Sequence, residues 1–347
     1  MNVDDDAHRV WRAPVPSANF TADPPISTMR TSTVFSKYAS SVPLRRGVPR
    51  PGADRCSLQR NKNVTRQSRR CCYAVTVSLR SGFIAGPIDA RHARWLGALA
   101  GLAALNVGLW VWIASFGTRP TPYAETQLLL SGVYVMVCGF RSLFPRVDLE
   151  RVCLWDTWLS AILLGRTMAT IAELCFALQC QLFVMRLSEI AGTPVVGAAA
   201  HAFVPLAIGA ELVCWYAVLS LNHIFHALEE SLWAVMMLLL SAACGIAALT
   251  AHGPFRSMMI AGFVVYSVGA GLTIGCDVTM YVRRWRLRAA TARLTLAAGL
   301  RDTRRRRHPT LAWHVWREEA PWMTLYFRVG VWTSLAMVLL EAAALRS

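Results

Sequence analysis

Seven apolar stretches, each long enough to cross a bilayer, fill the chain from Trp95 to Leu345, and they constrain the fold more than any other feature. A hydrocarbon core of about 30 Å takes roughly 20 apolar residues of helix. The stretches run over about 95–116, 125–144, 157–185, 197–221, 231–251, 257–282 and 322–344. Lipid offers no water to backbone N–H and C=O groups, so helices that bond internally are the economical way across, and these Leu/Val/Ala runs are too long for barrel strands. The expected fold is all-α: a polytopic membrane helix bundle of about seven transmembrane helices over residues 95–347.

The arginines set the expected orientation. The segment before Trp95 and the loop 283–321 are dense in Arg, while the loops near Thr118, Gly192 and His252 carry almost none. The positive-inside rule places the N-terminus and the 283–321 loop on the cytosolic face or its stromal or matrix equivalent, and an odd number of spans sends the C-terminus to the other side. The formal charge of +16 then speaks for topology and anionic headgroups, with no folded basic domain outside the bundle to engage nucleic acid. No lysine lies beyond Lys62, which excludes a retinal Schiff base inside the bundle. The ten cysteines form no metal-spaced pairs, and those in the spans read as small apolar side chains.

Residues 1–94 are a different material. From Met29 to Ile88 the only acidic residue is Asp54, and Ser, Thr, Arg and Pro recur as in a plastid or mitochondrial transit segment. Asp4, Asp5 and Asp6 count against a transit peptide that starts at Met1, so the readings are a targeting segment starting at Met29 or a disordered basic tail. A transit segment implies a plastid or mitochondrial membrane; a tail implies a bacterial inner membrane or an endomembrane. Asn19 and Asn63 sit in glycosylation patterns but fall on the positive side, where they are expected to stay unmodified.

Charge inside the spans costs free energy and so asks for a reason. Arg166, Thr170 and Glu173 follow i, i+4, i+7 spacing, one polar stripe on the third helix that should face the bundle interior. With that span entering near Thr157, Arg166 lies roughly 13 Å deep, level with Glu211 on the fourth span at roughly 16 Å, and able to pair with it. The stripe reads either as a buried ion pair fixing helix register or as the lining of a polar path.

A second group gathers at the positive face, where Asn222 to Glu230 sets His223, His226 and Glu230 along one side of a helix, with Glu229 one turn from His226. Imidazoles and carboxylates at this spacing suit acid/base work or a divalent metal, Zn, Fe or Mn, with His223, His226 and Glu230 as ligands and Asp277 from the sixth span as a further one. The alternative is a solvated helix end at the headgroups. Arg141 and Arg146 lie on the same face and can hold an anionic head. The 283–321 loop, with its Arg304 to Arg307 run and Trp313, Trp316 and Trp322, suits a segment lying on anionic membrane lipids.

Two functions from different classes follow. One is a membrane-embedded enzyme acting on a lipid or other apolar substrate, with His223, His226, Glu229 and Glu230 as its working groups. The other is a proton- or anion-coupled carrier or channel using Arg166, Glu173 and Glu211 at mid-membrane. No phosphate loop, HExxH, Gly-x-Ser-x-Gly or His-rich box points to a known chemistry. The shape of the interior decides between them: a cleft open sideways to lipid favours the enzyme, and a polar tunnel favours transport.

Overall fold

Three of the spans, the first, second and fifth, begin where the sequence supplies a side-chain cap. A computed structural model describes residues 89–117, 121–287, 293–305 and 307–344. Most of the 1–94 segment, with its targeting reading and the Asn19 and Asn63 patterns, lies outside these residues.

Asp89 caps helix α1 (Ala90–Phe116) by accepting from Arg91 N at 2.8 Å, and Thr121 caps α2 (Pro122–Leu143), whose first position is the proline that needs no donor there. Helix α3 (Ile162–Ala191) stops at Gly192, which takes the left-handed conformation at φ 63°. The fourth span is α4 (Pro194–Ala200) followed by α5 (Phe203–Ser220); Pro205, lacking an N–H, sits in the first turn after the break. Asn222 caps α6 (His223–Thr250). The sixth span is α7 (Gly253–Leu272), a π-helical turn at Thr273–Val278, and α8 (Thr279–Leu287). After α9 (Leu296–Arg305) and α10 (Trp313–Trp316), the seventh is α11 (Ala320–Leu325), a second π-helical turn at Tyr326–Gly330, and α12 (Val331–Ala344).

Seven spans are therefore long and apolar enough to cross a membrane, and the chain is an all-α multi-pass bundle. Only 22% of the apolar window of the first span and 17% of the sixth is buried by protein, so their outward Trp112, Phe116, Phe263 and Val268 are left for lipid to cover. Close packing inside relies on small residues and cross-helix hydrogen bonds rather than on expulsion of water. A Cβ on Gly132 of α2 would come within 2.7 Å of the Trp110 ring of α1. Gln127, Gln179 and Ser334 join α2, α3 and α12: Gln179 Nε2 donates to Gln127 Oε1 at 3.0 Å, and Ser334 Oγ to Gln179 Oε1 at 2.6 Å.

One end of the bundle carries more structure than a set of loops. Strands β1 (Arg146–Val147) and β2 (Val152–Cys153) pair antiparallel, and β2 pairs parallel with β3 (His308–Pro309). Arg151, at φ 59° and fully buried, donates to Asp302 Oδ2 at 2.9 Å, Asp148 O at 2.5 Å and Val218 O at 2.9 Å. It ties the α2–α3 connection to α5 and α9. Gly299 of α9 lies on the Leu219 carbonyl, where any Cβ would collide.

One of the three tryptophans of the 283–321 loop lies in the core rather than at a surface. Trp316 is fully buried, its Nε1 donating to Thr310 O at 2.9 Å and its ring 5.7 Å from Trp95. His92 Nδ1 lies 2.8 Å from Leu311 O, so the start of α1 and this loop meet at the same end. A buried Trp whose indole N–H is satisfied contributes more as core than at a headgroup.

Candidate functional site

The two polar groups separated in the sequence are one group in space. Hydropathy places the start of the third span at Thr157, but residues 158–160 form a 3-10 turn and the α-helix starts at Ile162. Arg166 is thus only about 6 Å into the helix at 1.5 Å per residue. The fifth span starts at His223 rather than near 231, which puts Glu229 about 9 Å into α6, at a comparable depth.

Arg166 is the hub. Its Nη2 donates to Glu173 Oε2 and, at 3.0 Å, to both oxygens of Glu211, while Nη1 lies 4.0 Å from Glu229 Oε1. All four residues are buried. Thr170 Oγ1 donates to Glu211 Oε2 at 2.5 Å and accepts from Trp215 Nε1 at 3.0 Å. Glu173 also accepts from Tyr326 OH at 3.1 Å and faces Arg141 Nη1 at 3.6 Å. Arg166 thus meets Glu173, seven residues on along the same helix face, and Glu211 of α5, which estimated depth had set level with it. Three carboxylates around one guanidinium, with a second guanidinium behind, give each buried charge at least one opposite partner.

Beside the hub, His226 and Glu229 form a dyad one turn apart on α6, Nδ1 to Oε2 at 2.5 Å. With Nδ1–H donated to the carboxylate, Nε2 is left as the basic nitrogen. The imidazole stacks on Tyr281 of α8, ring centroids 4.9 Å apart, and Cys214 Sγ stands 4.0 Å from Nδ1. Sequence reasoning passed over Tyr281 and treated Cys214 as an apolar filler. The available signals were spacing: Tyr281 follows Asp277 by four residues and Cys214 follows Glu211 by three, each pair on one helical face.

The remaining expected residues divide. Glu230 and Asp277 face the same interior space as His226 and Glu229. His223 lies aside, buried, with Nε2 3.8 Å from Glu150 Oε1. Arg146 is buried in the turn after α2, its guanidinium laid over Gly165 of α3, where a Cβ would overlap it. Its Nε faces Asp148 Oδ1 at 3.4 Å, while Nη1 and Nη2 have no hydrogen-bond partner. Burial draws this guanidinium down to about 10, against the pull of Asp148.

These side chains line a cavity of about 610 Å³. Its polar end carries Arg141, Arg146, Arg166, Glu173, His226 and Glu229; its far wall is apolar, with Phe203, Met236, Leu240 and Cys180. The lining residues Val264, Val265, Val268 and Leu272 of α7 and Leu325, Tyr326 and Val329 across from them are 36–55% exposed. The cavity therefore opens sideways, between the sixth and seventh spans. Both π-helical turns border it, supplying Asp277 from one and Tyr326 from the other. An extra residue in a helical turn re-aims side chains and frees carbonyls, a device common at functional sites. Asn106 Nδ2 takes up one such carbonyl, Phe327 O, at 2.9 Å.

Among the described residues two sets of donor atoms converge closely enough for a metal: Cys214, His226 and Glu229, and Glu173, Glu211 and Glu229. The set expected from sequence, His223, His226, Glu230 and Asp277, is not one of them, because the α6 register turns Glu229 rather than Glu230 to His226. In the carboxylate set the Arg166 guanidinium already occupies the place of the cation. In the other, a metal would have to displace the His226 to Glu229 hydrogen bond.

Comparisons with protein-family models, with curated proteins and with solved structures returned no match. What defines this chain is its own geometry: a multi-pass membrane bundle with a charged, laterally open interior.

Proposed function

We propose that the protein is a membrane-embedded enzyme that acts on the polar end of a lipid-like amphiphile, with His226 as general base and Glu229 as its orienting partner. The observation that carries this reading is the cavity itself, which joins a His/Glu dyad to an apolar wall open to the bilayer. The substrate's chain enters between the sixth and seventh spans, and its polar end reaches the dyad. Nε2 of His226 takes a proton from a hydroxyl or water there, the imidazolium formed is stabilised by Glu229, and Arg166 holds Glu229 in place. Tyr281 lines the same space and is the candidate for the reciprocal proton donor.

A carrier built on Arg166, Glu173 and Glu211 has less support. Those groups bind one another, and Glu211 is committed to Arg166 and Thr170.

The test is lipid profiling of cells lacking the protein, complemented with wild type, His226→Asn or Glu229→Gln. A species that accumulates in the knockout should disappear with wild type and persist with either variant at normal abundance in the membrane. Full complementation by both variants would overturn the reading.

A further inference from the structure

The polar groups lining the cavity do not all find partners, and what is left over specifies a ligand. Arg141 and Arg166 meet Glu173, Arg166 and His226 meet Glu229, and Glu319 meets Arg284 at 2.8 Å. Two kinds of group remain unmatched. Arg146, whose Nε faces Asp148 Oδ1 at 3.4 Å, still has Nη1 and Nη2 buried without a hydrogen-bond partner, beside the cationic Arg141 and Arg166. On the other side, Glu230 of α6 and Asp277 of the sixth span's π-helical turn make no hydrogen bond or ion pair among the described residues.

We infer that the cavity takes a zwitterionic amphiphile, a phosphate-type oxyanion on Arg146 and an ammonium facing Glu230 and Asp277, with its chain along the apolar wall. The inference rests on the cavity being the substrate site proposed above, whose substrate class it names. A guanidinium edge with two parallel N–H donors matches phosphate geometry. A purely anionic head would leave the two carboxyls without a donor, and a purely cationic one would leave Nη1 and Nη2 of Arg146 without an acceptor. Gly165 is part of the site, since the absence of a side chain there lets the guanidinium lie against α3.

Binding separates these cases, measured by native mass spectrometry of the full chain in maltoside micelles. The probes are lysophosphatidylethanolamine, lysophosphatidate and octadecylamine. The first should bind at least about tenfold more tightly than either of the others, a difference of about 1.4 kcal/mol. Arg146→Gln should weaken the two phosphates about tenfold and spare the amine. The Glu230→Gln, Asp277→Asn double variant should weaken lysophosphatidylethanolamine and the amine and spare lysophosphatidate. Gly165→Ala, which displaces the guanidinium without removing it, should copy Arg146→Gln. Equal binding of all three probes by wild type, or substitutions that weaken all three alike, would overturn the inference. The enzyme reading fails separately: if His226→Asn binds lysophosphatidylethanolamine as wild type does and complements the knockout fully, the dyad is not catalytic, whatever the head-group preference.

Discussion

Arg166 Nη1 stands 4.0 Å from Glu229 Oε1, and this approach joins the charged stripe of the third span to the histidine dyad of the fifth. Glu229 is thereby held from two sides, by a guanidinium and by an imidazole. The ion-pair hub and the candidate chemistry are one unit, so substitutions in the hub should reach the dyad.

Arg166→Leu leaves Glu173, Glu211 and Glu229 buried without their common partner and should cost about 3 kcal/mol or more. Adding Glu211→Gln should restore part of that, a coupling above about 1 kcal/mol. Denaturant titration in detergent measures both. Strict additivity in the double variant would mean that the two groups stabilise the bundle independently.

Cys214 separates acid/base work from metal chemistry. Under the acid/base reading Cys214→Ser should lower activity by less than about threefold, whereas disturbing even the outer shell of a metal site costs roughly 10- to 100-fold. Activity in the lipid assay should also survive dialysis against a chelator. Loss of both activity and a stoichiometric metal in Cys214→Ser would replace the general base with a metal held by Cys214, His226 and Glu229.

The spans were legible because hydropathy over twenty residues needs no knowledge of partners, and the Arg166–Thr170–Glu173 stripe because its spacing matches a helix. The depth of Arg166 was not, since Trp158, Leu159 and Ile162 are equally apolar whether in a 3-10 turn or an α-helix. The pairing of β2 with β3, the left-handed Arg151 and the π-helical turn of the seventh span escaped for a common reason. Each is fixed by a contact from a distant segment: β3 for β2, Asp302 for Arg151, Asn106 for the Phe327 carbonyl.

Arg151 supplies a prediction about the end of the bundle. Arg151→Leu removes three hydrogen bonds from a fully buried guanidinium and leaves Val218 O without that donor. The loop from Leu294 to Thr310 should become a site of rapid proteolysis while the spans stay inserted. Protection equal to wild type would show that β3 and Gly299 hold the loop unaided.

Topology follows from the arginine asymmetry and from the meeting of α1's start with the Leu311 carbonyl. A reporter placed within 301–305 should appear on the side of α1's N-terminal end, and one fused after Ser347 on the opposite side. Both reporters on one side would mean that one of the seven spans re-enters.

The π-helical turn of the seventh span gives the last prediction. Tyr326 reaches Glu173 from this turn, and Asn106 of α1 secures the turn by donating to Phe327 O while accepting from Trp332 Nε1 at 3.1 Å. Asn106→Leu should therefore act through position rather than contact, since Asn106 does not line the cavity. A buried carbonyl left without its donor costs about 1–3 kcal/mol, which the helix can escape by reverting the π turn to regular α and rotating Tyr326 away from Glu173. Asn106→Leu and Tyr326→Phe should then produce similar losses in lipid turnover, while only Asn106→Leu lowers the unfolding midpoint. Full turnover in Asn106→Leu would show that the turn keeps its shape without the bond, and that the aim of Tyr326 is set by α12 alone.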